Sequence, residues 1–211
     1  MGCIAVFAKP PVAGQVKTRL GRVIGHEAAA ELAQALLRDS VEQWQATGHP
    51  VVVATTDPTA EHGLDGAVPA MDQGPGGLGR RIERVLRAGL REHPWTMAVG
   101  ADAPAIPQAA IQQALDALQS GRDVLGPTDD GGFWALGLHQ CPDGLLAELP
   151  WSDPTTCART RERLVAWGLT PIELPRAWDV DRPEDLQQLS DAGDLAPRSA
   201  AIARRILEGT P

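Results

Sequence analysis

Tyrosine is absent from the 211 residues, phenylalanine occurs twice and cysteine three times. Cys3, Cys141 and Cys157 are an odd, scattered set without C-x-x-C spacing. They give no disulfide framework and point to a reducing, cytoplasmic compartment. The six tryptophans form no stripe. The five histidines, His26, His49, His62, His93 and His139, lack metal-ligand spacing and are expected on the surface or in loops. No Ser-His-Asp or Cys-His order is visible. No apolar run approaches the roughly 20 residues of a membrane span. The opening "MGCIAVFAKPP" has no basic segment before its short apolar run, so it reads as a first strand and not as a signal peptide. Myristoylation is not expected either, because Val6 stands where serine or threonine would be required.

The most informative absence is local. Residues 1–26 contain no aspartate or glutamate, in a chain with 27 acidic and 19 basic residues and a formal charge of −8. The same segment holds Lys9, Lys17, Arg19 and Arg22. The negative total argues against a general nucleic-acid binder. The acid-free basic opening suits a small anionic ligand such as a phosphate chain.

What is present reads as alternating strands and helices, with no repeat, low-complexity tract or linker, and so as one domain over residues 1–211. "CIAVFA" (3–8) is a continuous apolar run, as a buried parallel strand requires. Residues 26–46 carry Leu32, Leu36, Leu37, Val41 and Trp44 on one helical face. Strands follow at 51–55 and 96–100, and helices at 78–91 and 107–119. "DVLGP" and "GFWALGL" pair around a turn at "TDDGG". A helix at about 154–167, a strand at 170–174 and short helices near 183–190 and 198–208 complete the series. This order predicts a three-layer α/β/α fold with a mostly parallel sheet. Ligands of such sheets bind beyond the carboxyl ends of the strands.

Six segments carry candidate features. "AKPPVAGQVKTRLG" follows the first strand. It is not a P-loop, since Val16 precedes Lys17 where glycine is needed. It is still built for an anion: Gly14 permits close approach, Lys9, Lys17 and Arg19 supply charge, and Arg19 can hold phosphate oxygens in bidentate fashion. "GADAP" puts Asp102 at a strand's carboxyl end, where it serves either as a ligand for a divalent cation or as a helix cap. "AWDVDRPEDL" offers Asp179 and Asp181, which share a face if extended; Asp181 with Glu184 also fits a capping box. "TDDGG" places Asp129 and Asp130 in a turn, with Asp130 a candidate for holding an acceptor. In "WSDPTT", Ser152 or Asp153 is the expected N-cap of the next helix, with Pro154 in its first turn. Trp151 is either a pocket wall or core.

"GPGGLG" (74–79) is a literal G-x-G-x-x-G, preceded by the apolar stretch 67–71 and followed, at about the right distance, by Asp102. Taken alone it suggests a dinucleotide site.

In combination, "FAKPPVAGQVKTRL", "QGPGGLGRRI", "GADAPAI", "PTDDGGFWALGL", "WSDPTT" and "WDVDRPEDL" resemble, in that order, the bacterial glycosyltransferase-like proteins of the GT-A fold. These are described as arsenosugar-biosynthesis or radical-SAM/selenodomain-associated glycosyltransferases, and are similar to the molybdenum-cofactor and phospholactate guanylyltransferases. The resemblance runs from residue 4 to about 190; the tail, 195–211, lies outside it. It implies that the loop 9–19 meets the nucleotide's phosphates. It assigns "QGPGGLG", with Gln73, Gly74, Gly76 and Gly79, to the base and ribose rather than to a pyrophosphate. It implies Mg²⁺ or Mn²⁺ on Asp102 and Asp181, with the capping role falling elsewhere in the turn. The chain departs from the family pattern in lacking an aspartate near Gly77 and Leu78, in lacking tyrosine near Phe133 and Trp134, and in having Arg182 after Asp181. Asp102 lies between Ala101 and Ala103, not in a D-x-D. The expected function is glycosyl transfer from a nucleotide-diphospho-sugar to a small acceptor, with Lys17, Arg19 and Asp130 catalytic. The alternatives are nucleotidyl transfer with pyrophosphate release, and a non-catalytic nucleotide-binding protein. No nucleic-acid or membrane partner is expected.

Overall fold

The structure, a computed structural model, describes residues 1–64 and 68–209. Ala67, the first residue of the apolar stretch before the glycine loop, lies outside the described residues. Seven strands form one sheet: β1 (Cys3–Phe7), β2 (Val51–Thr55), β3 (Ala70–Asp72), β4 (Thr96–Gly100), β5 (Val124–Pro127), β6 (Phe133–Leu138) and β7 (Ile172–Glu173). Their order is β3-β2-β1-β4-β6-β5-β7. Only β6 runs antiparallel to its neighbours, forming the expected hairpin with β5 around "TDDGG".

Among the described residues there are seven α-helices: α1 (Thr18–Ile24), α2 (His26–Gln45), α3 (Leu78–Gly89), α4 (Gln108–Gln119), α5 (Thr156–Ala166), α6 (Asp185–Asp191) and α7 (Pro197–Glu208). The pleat sends alternate side chains to opposite faces. Ile4, Val6, Val53, Met97 and Val99 pack with Leu37, Val41 and Trp44 of α2 and with Ile111, Leu115 and Leu118 of α4. Trp44 stacks on Trp134 of β6, with ring centroids 6.5 Å apart. On the other face Ala5 and Ala54 meet Val85 of α3. There Ala98, Leu136 and Leu138 meet Ile82, Leu86 and Leu164 of α3 and α5. The three layers are thus two apolar interfaces sharing one sheet, each large buried side chain contributing about 1.5–3 kcal/mol. A third cluster, with Leu20, Leu32, Leu36, Val180, Leu186, Leu189 and Ala203, ties α1, α2, α6 and α7 together. Among the described residues no helix is long and apolar enough to cross a membrane.

The structure differs from the sequence reading at several points. Thr18–Ile24 is a helix, where a loop was expected up to Arg19; only Leu20 and Gly21 of its seven residues are buried, so it has no apolar stripe. Helix α5 begins at Thr156, about two residues late, because its N-cap is Thr155 and neither Ser152 nor Asp153. The Asp153 carboxylate instead accepts from the backbone and hydroxyl of Thr155, closing the turn before the helix. The capping box on Asp181 and Glu184 does not form: the Asp185 carboxylate accepts from the backbone N–H groups of Asp181 and Arg182, both at 2.7 Å. His62 lies in a loop, as expected, but is buried there and pairs with the Thr55 hydroxyl at 2.8 Å.

Candidate functional site

Strands β1 and β4 are adjacent and parallel, with Phe7 opposite Gly100. Their carboxyl ends therefore release two loops side by side, the basic loop after β1 and "ADAP" after β4. This is the crevice at which the strand order changes direction, where open parallel sheets bind ligands. A cleft of about 1020 Å³ lies there.

The segment 177–181 reaches the cleft as an extended strand extension. Ala177 bridges to Thr128 beyond β5, and the Val180 N–H donates to the Asp102 carbonyl at 3.0 Å. Val180 is fully buried, and Asp179 and Asp181 on either side of it both line the cleft. The alternation expected of these two aspartates is what the backbone delivers.

Lys17 is the centre of the arrangement. Its Nζ lies 2.7 Å from Asp102 Oδ1 and 3.2 Å from Asp181 Oδ1. Its side chain is 4% exposed, while those of Asp102 and Asp181 are 56% and 45% exposed. Burial alone would lower the ammonium's pKa, but the two carboxylates outweigh it and hold the group above its ordinary value. Lys17 adopts φ 44 and ψ 41, left-handed backbone that a residue with a Cβ rarely takes. That turn precedes α1 and is a strained conformation of the kind held in place at functional sites.

Lys17 thus does not extend freely along the phosphate loop. It occupies the point between the two carboxylates expected to hold a metal. Two hard oxygen ligands converging on one cationic point fit Mg²⁺ or Mn²⁺, which bind through one or two carboxylates with substrate phosphates completing the shell. A divalent ion takes that point only if the ammonium leaves it.

Around this centre, Lys9, Arg19, Arg81 and Arg182 also line the cleft. The sequence reading did not single out Arg81 or Arg182 as cleft residues. Residues 73–82 hold two arginines and no acid, so the same acid-free test that marked the first loop marks this one. The Arg81 Nε donates to the Gly76 carbonyl at 2.8 Å, anchoring the glycine loop to α3.

That loop contributes Gln73 and Leu78 to the cleft lining, but none of its glycines. Gln73 is buried and donates to the Ala54 carbonyl at 2.8 Å. Gly74 and Gly76 have φ of 69° and 104°, which shape the turn. Gly79 is packed against its neighbours: a Cβ there would stand 2.4 Å from the Leu146 carbonyl oxygen and 3.0 Å from the Trp151 ring. Gly14, with φ 79°, turns the first loop with open space around it. The glycine loop follows β3, an edge strand, whereas a dinucleotide fingerprint follows the first, central strand of its sheet.

Asp130 is fixed by the hairpin turn, its Oδ1 accepting from the Thr128 hydroxyl at 2.6 Å and the Gly132 N–H at 2.9 Å. Asp179 lines the cleft with it. Burial, then the charges of Asp102 and Asp130, push its carboxyl up to about 7, with Lys17 pulling the other way.

Comparison with solved structures places this fold among nucleotide-diphospho-sugar transferase-like proteins. A protein from Desulfovibrio desulfuricans G20, described as a candidate nucleotide-diphospho-sugar transferase, superposes with a TM-score of 0.84 at 24% identity, over 98% of this chain and 99% of its own. CMP:2-keto-3-deoxy-manno-octonic acid synthetase, solved with CTP, gives 0.57 at 14% identity over 97% and 100% of the two chains. The 4-diphosphocytidyl-2C-methyl-D-erythritol synthase of Anaerococcus prevotii gives 0.54 at 9% identity over 87% and 94%. No curated protein sequence matches significantly. The likeness in sequence is to one family, whose model spans residues 36–153, from the middle of α2 through β4, Asp102 and the Asp130 turn. With more than half of its length matched, this chain belongs to the family described as "uncharacterized protein conserved in bacteria (DUF2064)".

Proposed function

We propose that this chain is a nucleotide-dependent transferase that moves a glycosyl group from a nucleotide-diphospho-sugar to a small acceptor. The observation that carries the reading is the convergence of Asp102 and Asp181 on a single cationic point, Lys17 Nζ, in a cleft at the ends of β1 and β4. The name of the Desulfovibrio structure supports the donor class, and the sequence motifs support a place among the arsenosugar- and selenodomain-associated glycosyltransferase-like proteins.

Asp102 and Asp181 would hold Mg²⁺ or Mn²⁺, and such an ion neutralises charge on a diphosphate leaving group. Lys17, displaced from the carboxylates, and Arg19 at the start of α1 then face the phosphates and stabilise the charge that develops as the glycosyl bond breaks. Lys9, Arg81 and Arg182 extend the basic lining. Gln73 and the backbone around Gly74 and Gly76 approach the nucleoside. Asp130, fixed by its turn, orients the acceptor and takes its proton.

A second reading is nucleotidyl transfer with pyrophosphate release. The number of cations along the cleft favours it, since five suit a triphosphate, and the synthetase of similar fold was solved with CTP. Incubating the protein with Mn²⁺, a panel of nucleotide sugars or nucleoside triphosphates, and small alcohols separates the two. Release of nucleoside diphosphate supports glycosyl transfer. Release of pyrophosphate from a triphosphate supports the second reading and overturns the first.

A further inference from the structure

A second, smaller cavity of about 230 Å³ opens beside the main cleft. The two share Phe7, Leu78, Gly100, Asp130, Ser152 and Asp179. Beyond that shared rim the side pocket is walled by Ile82, Phe133, Trp134 and Trp151. The Phe133 and Trp151 rings meet edge to face, with centroids 6.0 Å apart. Trp151 is braced from behind by Gly79, whose missing side chain lets the ring approach α3. The absence of a Cβ at Gly79 therefore leaves room for the pocket wall.

The charge of this pocket is one-sided. Asp130, Asp153 and Asp179 line it, and among the described residues no lysine, arginine or histidine does. The main cleft has five lysine and arginine residues along its lining, set among six aspartates. A ligand bridging the two meets cations interleaved with carboxylates at one end and acidic groups without any cation, in an aromatic setting, at the other. An anionic group pushed into the side pocket would lose hydration, gain no counter-ion and face the Asp130 and Asp153 carboxylates, with Asp179 beside them. A hydroxyl or ammonium group on an apolar body finds carboxylate acceptors and, for the cation, two aromatic faces.

We propose that the side pocket is the acceptor subsite and that it selects a small alcohol or amine with an apolar body and no anionic group. This rests on the nucleotide-sugar reading of the main cleft. An acceptor bound as an ammonium first gives one proton to solvent. In transfer, a bond then forms from the lone pair of the acceptor oxygen or amine nitrogen to the sugar's anomeric carbon. The bond from that carbon to the diphosphate oxygen breaks, its electron pair leaves with the nucleoside diphosphate, and the one proton the acceptor loses on bonding passes to Asp130.

The test uses the full chain and four matched probes: 2-phenylethanol, 2-phenylethylamine, phenylacetate and phenyl phosphate, read by saturation-transfer NMR. The alcohol and the amine are expected to bind at least tenfold more tightly than the two anions. Both should weaken about tenfold in Trp151→Ala. In a double variant, Asp130→Asn with Asp179→Asn, phenylacetate should gain and the amine should lose. The proposal is overturned if either anion binds the native protein as well as the alcohol, if none of the four binds, or if Trp151→Ala leaves binding unchanged. Nucleotide binding to the same samples, followed by calorimetry, fails or succeeds separately. Its loss would strike the reading of the main cleft, while the four-probe ranking reports on the side pocket alone.

Discussion

The ammonium of Lys17 lies 2.7 Å from Asp102 Oδ1 and is almost wholly buried, although the two residues sit on different loops released by neighbouring strands. It gives this cleft a resident cation at the point where a divalent ion would sit. Lys17→Met removes that cation and leaves the Asp102 and Asp181 carboxylates facing each other. The variant is expected to melt earlier than the native protein without metal. It should gain more in Tm from Mn²⁺ than the native protein does, because the ion no longer competes with an ammonium. Equal Mn²⁺ shifts in the two proteins would show that the ion binds elsewhere.

Arg19 stands exposed in the first turn of α1 and lines the cleft with no ion-pair partner among the described residues. Arg19→Ala is expected to weaken a nucleoside diphosphate by about tenfold or more, since a charge-assisted contact contributes roughly 1.5–3 kcal/mol. The free nucleoside should bind the variant and the native protein alike. Calorimetry with both ligands decides it; equal weakening of the two would move the phosphates away from this helix.

The alternation of β and α was legible because buried parallel strands are short continuous apolar runs, as in "CIAVF" and "TMAVG", and because α2 and α3 bury one clear face. Helix α1 escaped notice because it buries only Leu20 and Gly21, and β3 because it is a three-residue edge strand without a fully buried side chain. Within the cleft, the acid-free first loop and the strand-end aspartate announced a charged site. The fold brings Lys17, Asp102 and Asp181 together, as the resemblance implied for the two aspartates. That Lys17 would fold back onto them could not be read, since its partners lie far along the chain and nothing local to "QVKTR" requires them. Gly79 shows what spacing alone leaves out: it matches a dinucleotide motif, and in the fold a Cβ there would meet Leu146 and Trp151.

Gly79→Ala therefore tests packing rather than nucleotide contact. Its methyl would meet the Leu146 carbonyl oxygen at 2.4 Å, backbone that cannot swing aside. A loss of about 1–3 kcal/mol in stability is expected, as for other overpacked sites. Urea unfolding gives the value. An unchanged midpoint together with lost nucleotide affinity would return Gly79 to the cleft.

Asp179 supplies a pH dependence of known sign. Its carboxyl is pushed up to about 7 by burial and by Asp102 and Asp130, from an ordinary value of 3.8. Between those two values the folded state holds a proton that the unfolded state has released, so stability falls as pH rises through the window and is level above it. Asp179→Asn removes the ionisable group. The variant should exceed the native protein in Tm near pH 8, with the gap closing towards pH 4. Differential scanning calorimetry across this range checks the trend, and a constant gap would place the titration on another group.

The measurement that bears most directly on the central claim is calorimetric titration of nucleoside di- and triphosphates into the native protein and Asp102→Asn, each with and without Mn²⁺. The cleft at the ends of β1 and β4 predicts binding by the native protein that Mn²⁺ strengthens. It also predicts that Asp102→Asn, still folded, loses the Mn²⁺ dependence. Nucleotide affinity and metal dependence identical in the two proteins would contradict the account.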